Sequence, residues 1–179
     1  MKSVCVFCGS RAGADPAYAE AALKLGALLA RRGLRLVYGG GRVGLMGLVA
    51  DAALHAGGEV VGVMPKLLIE REVEHRGLTE LHEVDSMHRR KALMEQFSDA
   101  FVMLPGGMGT LDEVCEILTW AQLGLHQKPL AILNTGGYYD QLLAFLQHGI
   151  KQHFIPEESV QRIIVEVDAE RLLDRMFDR

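Results

Sequence analysis

At 179 residues with 49% hydrophobic content, the chain has the size of one compact domain with material for a sizeable core, and no second domain is expected. A formal charge of -4 leaves no electrostatic footprint for a polyanion, so nucleic acid and an anionic membrane surface are not expected partners. Small ligands or other proteins are.

In chain order, an apolar run at 4–7 reads as a first strand and turns at Gly9-Ser10. It is too short for a signal peptide or a membrane span, so the protein is expected in the cytoplasm. Cys5 and Cys8 have C-x-x-C spacing, but on a strand residues three apart point to opposite faces, whereas a redox pair needs a helix start to lower a thiol pKa. Both are read as buried small side chains. A helix over 16–32 opens with Pro16 and stops at Gly33, the usual asymmetry of helix ends. A strand at 34–38, a helix at 45–56 and a strand at 59–63 follow. Residues 65–85 are charged and without clear period, and read as a flap or ligand-side loop. Then come a helix at 87–97, a strand at 100–104, a helix at 110–123, a strand at 130–133, a helix at 138–147, a strand at 162–167 and a helix at 169–177.

Strands alternating with helices through short glycine-bearing connections, with several strands continuously apolar, indicate an α/β fold. The expected form is a Rossmann-like three-layer arrangement, a mostly parallel central sheet with helices on both faces. In such sheets ligands bind beyond the carboxyl ends of the strands. Three of the loops expected there are glycine-rich: Gly9-Ser10, the 39–44 loop and the 105–110 turn.

The most telling of them is Pro105-Gly106-Gly107-Met108-Gly109-Thr110-Leu111-Asp112-Glu113, which follows an apolar strand and opens a helix. Glycines let the backbone approach a ligand closely, and the free N–H groups and dipole of a helix start favour a phosphate. Glu113 follows about one turn in, roughly 5 Å along the axis. A phosphate site with a carboxylate one turn away suits an enzyme acting on a phosphorylated small molecule. The alternative is a glycine turn that merely closes a connection. No Gly-Lys-Ser/Thr follows the glycines, so ATP-dependent phosphoryl transfer is poorly supported. Gly39, Gly41 and Gly44 form a literal G-x-G-x-x-G, but after the second strand and without the acidic residue expected about 20 positions on. They read as a tight turn with nucleotide or phosphate contact.

Ser86-Met87-His88-Arg89-Arg90-Lys91 puts three fixed cations in the first turn of a helix capped by Asp85 or Ser86. The helix dipole disfavours positive charge there, and such breaches of local rules tend to mark functional sites. The alternative is a solvated basic face.

Together these motifs resemble the LOG (lonely guy) phosphoribohydrolases, which carry PGGxGTxxE and, upstream, a Met-His-x-Arg-Lys segment. Both stand here complete, at 105–113 and at Met87, His88, Arg90 and Lys91. The resemblance extends from Cys8-Gly9-Ser10 through the 39–47 loop to the helix at Tyr138. It implies hydrolysis of the N-glycosidic bond of adenine-type nucleoside 5′-monophosphates, cytokinin ribotides included, to free base and ribose 5-phosphate. It further implies Glu113 and Arg90 as the catalytic pair, with Lys91, Glu72, Gly107, Met108, Gly109, Thr110 and Thr119 at the substrate. Met87, Gly106, Ser10 and Gly41, within the matched segments, join the substrate-side candidates. Homodimers with sites near the interface are implied as well.

These residue types also make chemical sense together. Glycosidic cleavage passes through an oxocarbenium-like sugar, which a carboxylate stabilises while it orients water; Glu113 suits that role. The departing base gathers negative charge, which Arg90 can stabilise without itself donating a proton. Thr119, six positions from Glu113, lies about 120° away on an ideal helix, so Glu116 and Trp120 are equally fair pocket candidates by geometry, though packing for Trp120 and solvent for Glu116 are the favoured readings. The seven histidines are scattered without metal-ligand spacing, and no metal or cofactor is expected. Lysines for a pyridoxal Schiff base exist at Lys66, Lys91 and Lys128, but the site chemistry needs none, which argues against the decarboxylase label that members of this family long carried. A nucleotide-binding sensor or carrier that does not cleave is the competing reading.

Overall fold

The computed structural model describes residues 1–72 and 74–177, the side chains of 70–72 lying outside that description. The elements run β1 (Ser3–Phe7), α1 (Pro16–Arg31), β2 (Arg35–Tyr38), α2 (Gly44–His55), β3 (Val60–Pro65), α3 (Lys66–Glu72), β4 (Glu80–Val84), α4 (Met87–Gln96) and β5 (Ala100–Met103). They continue with α5 (Met108–Gln122), β6 (Leu130–Leu133), a 3-10 turn (Thr135–Gly137), α6 (Asp140–Lys151), α7 (Glu157–Gln161), β7 (Ile163–Glu166) and α8 (Ala169–Phe177).

The strands form one sheet in the order β4-β3-β2-β1-β5-β6-β7, every neighbouring pair parallel. The chain winds outward from β1 to β4, then returns to lay β5 against the other side of β1. The winding direction therefore reverses between β1 and β5, which opens a crevice beyond their carboxyl ends. Register pairs Phe7 with Met103, so the two strands end level and their loops leave side by side.

Alternation along β1 feeds both layers of the core. Val4, Val6 and Cys8 pack with Leu25 and Leu29 of α1, Val49 of α2 and Leu172 of α8. Cys5 and Phe7 face the opposite layer, with Met94 of α4 and Val114 and Ile117 of α5. The two thiols are thus buried on opposite sides of the sheet, as their spacing on a strand requires. Leu25 and Leu29, one turn apart and fully buried, are each worth about 1.5–3 kcal/mol of hydrophobic stabilisation.

The 65–85 expectation is corrected. The segment holds α3 and the edge strand β4, making seven strands where six apolar runs were legible. β4 carries the exposed Glu80 and Glu83 and the half-buried His82, as an edge strand paired on one side only can. That pattern has no apolar run. The five-residue α7 is a second element with no helical period to announce it.

Candidate functional site

The loops after β1 and β5 are tied together where the winding reverses. Gly9 N–H donates to Pro105 O at 3.0 Å, and Gly9 O accepts from Leu45 and Met46 at the start of α2, at 3.0 and 3.3 Å. A cleft of about 560 Å³ opens there, lined by Ser10, Arg11, Met87, Arg90, residues 105–110 and Glu113.

One wall is the start of α5. The helix begins at Met108, two residues before the expected Thr110, with Gly107 as an extended N-cap that offers no side-chain cap. The N–H groups of the first turn have no intrahelical acceptor, and with the helix dipole they form an anion-binding end. Gly106 has to be glycine: a Cβ there would run into the buried Thr110 side chain. The turn is held by Tyr138, whose hydroxyl donates to Gly106 O at 2.7 Å.

At the other end lies the charged pair. Ser86 caps α4, its hydroxyl accepting from Arg89 N–H at 3.2 Å. Arg90, only 5% exposed, donates from Nε to Val63 O and from Nη2 to Gly39 O, each at 3.0 Å. Its Nη1 is 3.9 Å from Glu113 Oε1 and the same distance from Met87 Sδ. The cation at a helix N-terminus is thereby explained: the carbonyls of β3 and of the loop after β2 hold Arg90 against the local dipole. The 39–44 glycine loop is spent on the protein itself, Gly39 O on Arg90, Gly40 O on His75 N–H, and Gly41 on a bridge to Glu74. Burial pushes the Cys5 and Cys8 thiols well up, and the Glu113 charge adds to the rise.

Of the sequence candidates, Glu113, Arg90, Met87, Ser10, Gly106, Gly107, Met108, Gly109 and Thr110 share the cleft. Gly41, Lys91 and Thr119 do not line it. Gly41 is buried and bridges to Glu74. Lys91 Nζ sits 3.1 Å from Asp112 Oδ2 and 3.2 Å from Glu116 Oε2, bridging α4 to α5. Thr119 is exposed and returns its hydroxyl to Cys115 O at 2.7 Å, in keeping with its angular distance from Glu113. Glu72 ends α3, and its side chain lies outside the described residues. Trp120 packs against the core layer of α5. Sequence reasoning missed Arg11, Tyr18, Leu68 and Tyr138 on the cleft wall; they come from segments after β1, β3 and β6, which only the parallel strand order brings to one edge.

Among the described residues no group of three or more His, Cys, Asp or Glu is placed to hold a metal ion, and no helix is long and apolar enough to cross a membrane.

Comparison with known proteins adds two findings. Residues 46–176 match the family model described as possible lysine decarboxylase. Over 178 residues the chain is 49% identical to a cytokinin riboside 5′-monophosphate phosphoribohydrolase of Arabidopsis thaliana, covering 99% of this chain and 82% of the relative. It is 51% identical over 170 residues to the protein of that name in Rhodococcoides fascians, covering 94% and 86%. The fold matches the molybdenum cofactor binding protein of Rippkaea orientalis with a TM-score of 0.75, at 22% identity and covering 99% of this chain and 97% of that one. At that identity the likeness is one of architecture.

Proposed function

Because the chain belongs to the LOG family of cytokinin riboside 5′-monophosphate phosphoribohydrolases, we propose that it hydrolyses the N-glycosidic bond of adenine-type nucleoside 5′-monophosphates. The products are the free base and ribose 5-phosphate, and the whole chain acts as one catalytic domain. The observation that carries this reading is the pair of Arg90 and Glu113, 3.9 Å apart in one cleft with the open N-terminus of α5.

The phosphate is received by the first-turn N–H groups of α5 and by Ser10, which puts C1′ of the ribose toward Glu113. The bond from C1′ to the base nitrogen breaks with its electron pair leaving on the base, and water adds to C1′. The Glu113 carboxylate stabilises the oxocarbenium-like sugar and orients that water, whose proton passes on to the departing base. Arg90, always charged, stabilises the negative charge gathering on the base. Met87 lies at the base end. Lys91, Thr119, Gly41 and Glu72 keep the further substrate-side roles that the family's pattern gives them. A pyridoxal-dependent decarboxylation fits poorly, since no lysine lines the cleft among the described residues. Homodimers in the cytoplasm complete the reading; the exposed Leu123, Leu125, Phe145 and Phe154 offer apolar surface for a second copy.

Substrate preference is read by incubating the protein with AMP and with isopentenyladenosine monophosphate and separating the products. Release of base with ribose 5-phosphate supports the proposal. Tight binding without release of either product overturns it in favour of a carrier or sensor.

A further inference from the structure

We propose that Arg11 is the cation that meets the 5′-phosphate and so sets the preference for monophosphates over nucleosides, an inference resting on the proposed phosphoribohydrolase activity. A phosphate monoester carries about -1.5 to -2 charges at neutral pH, whereas a helix N-terminus supplies roughly half a positive charge. More than one charge is left for side chains to balance.

Among the described residues, the fixed cations lining the cleft are Arg11 and Arg90. Arg90 is committed elsewhere. Two of its nitrogens are given to the carbonyls of Val63 and Gly39, and the third faces Glu113. A phosphate drawn to it would bring a dianion against that carboxylate. Lys91, next along α4, is committed too, its ammonium shared between Asp112 and Glu116 at 3.1 and 3.2 Å. Partial burial works against its charge, yet these two carboxylates raise its pKa above the ordinary value. Lys91 is therefore a clamp that neutralises Asp112 and holds α4 beside α5, which keeps Arg90 opposite Glu113.

Arg11 differs on each count. It is exposed, lines the cleft, and makes no hydrogen bond or ion pair among the described residues. Its root is fixed at the phosphate end. A Cβ built on Gly9 would stand 2.9 Å from Arg11 O and 3.4 Å from Gly106 Cα, so the loop bearing Arg11 rides directly against the anion-binding turn. A planar guanidinium there offers a bidentate fork matched to two phosphate oxygens.

The test compares wild type with Arg11→Gln and Arg11→Lys in initial rates on AMP and in calorimetric titration with ribose 5-phosphate and with adenine. Loss of a charge-assisted pair corresponds to roughly 10- to 100-fold. Arg11→Gln is expected to raise KM for AMP and Kd for ribose 5-phosphate by that factor, with kcat within about threefold and adenine binding unchanged. Arg11→Lys falls between. Retained ribose 5-phosphate affinity in Arg11→Gln, or a lower kcat at constant KM, overturns the assignment while leaving the hydrolase reading intact. Arg11-dependent ribose 5-phosphate binding without cleavage of any nucleotide supports the assignment and removes the hydrolase. No binding of ribose 5-phosphate by wild type removes both.

Discussion

Arg90 and Glu113 face each other at 3.9 Å, a separation longer than a tight bidentate pair, while the same guanidinium is tethered at 3.0 Å to carbonyls of Val63 and Gly39. The main chain of the sheet's carboxyl edge, rather than the carboxylate, fixes the cation. Glu113 lines the same cleft as the guanidinium it faces.

Removing one member of a buried charged network leaves its partners unsatisfied, at a cost of about 3–5 kcal/mol. Arg90→Met should lose that much in urea unfolding and lose turnover as well. Arg90→Lys should fold better but remain at least about a hundredfold slower, because a point charge cannot serve two carbonyls and face Glu113 at once. Wild-type rates in Arg90→Lys would show that the fork is dispensable.

Gly39 touches the same guanidinium: a Cβ there would collide with Arg90 Nη2. Gly39→Ala is expected to displace Arg90, costing about 1–3 kcal/mol from overpacking and lowering kcat more than it raises KM. The kinetic split is the readout, since simple destabilisation would leave the kcat of the folded fraction unchanged.

Tyr138→Phe deletes the 2.7 Å hydrogen bond to Gly106 O, worth about 0.5–1.5 kcal/mol. The anion-binding turn loosens while the charged pair, on the other side of the cleft, is untouched. KM for a nucleotide should rise up to about tenfold with kcat little changed. Equal losses in kcat would mean that the tyrosine acts on the chemistry instead.

The site's two motifs were legible because each is local: a glycine turn opening a helix, and cations gathered at a helix start. α5 then follows from its apolar period and α4 from its Ser86 cap. Arg11 and Tyr138 were not legible, because the β1 loop and the segment after β6 reach the anion-binding turn only through the pairing of β5 with β1 on one side and β6 on the other. β4 escaped for another reason. An edge strand bearing Glu80, His82 and Glu83 has the composition of a loop, and its identity comes from the backbone ladder to β3. The 39–44 loop announced itself by its glycines, but its hydrogen bonds to Arg90 and to the segment after α3 join residues that spacing could not connect.

Burial raises the Cys5 and Cys8 thiols and the Tyr38 and Tyr139 phenols above their ordinary pKa values. The folded state therefore holds protons that the unfolded chain releases. Stability from these groups is complete below the unfolded thiol value and falls as pH rises through about 8.5 and then 10, by up to about 1.4 kcal/mol per unit for each group. Chemical denaturation from pH 7 to 10.5 checks the slope, and a flat profile contradicts it. In a thiol titration of the native protein only the exposed Cys115 should react quickly.

Product analysis on AMP and isopentenyladenosine monophosphate, run with wild type beside Glu113→Gln, tests the central claim most directly. The carboxamide keeps the shape but not the charge, so turnover should fall by about 10² to 10⁴ while nucleotide affinity stays within a few-fold. Equal release of base and ribose 5-phosphate by both proteins would contradict the role given to Glu113.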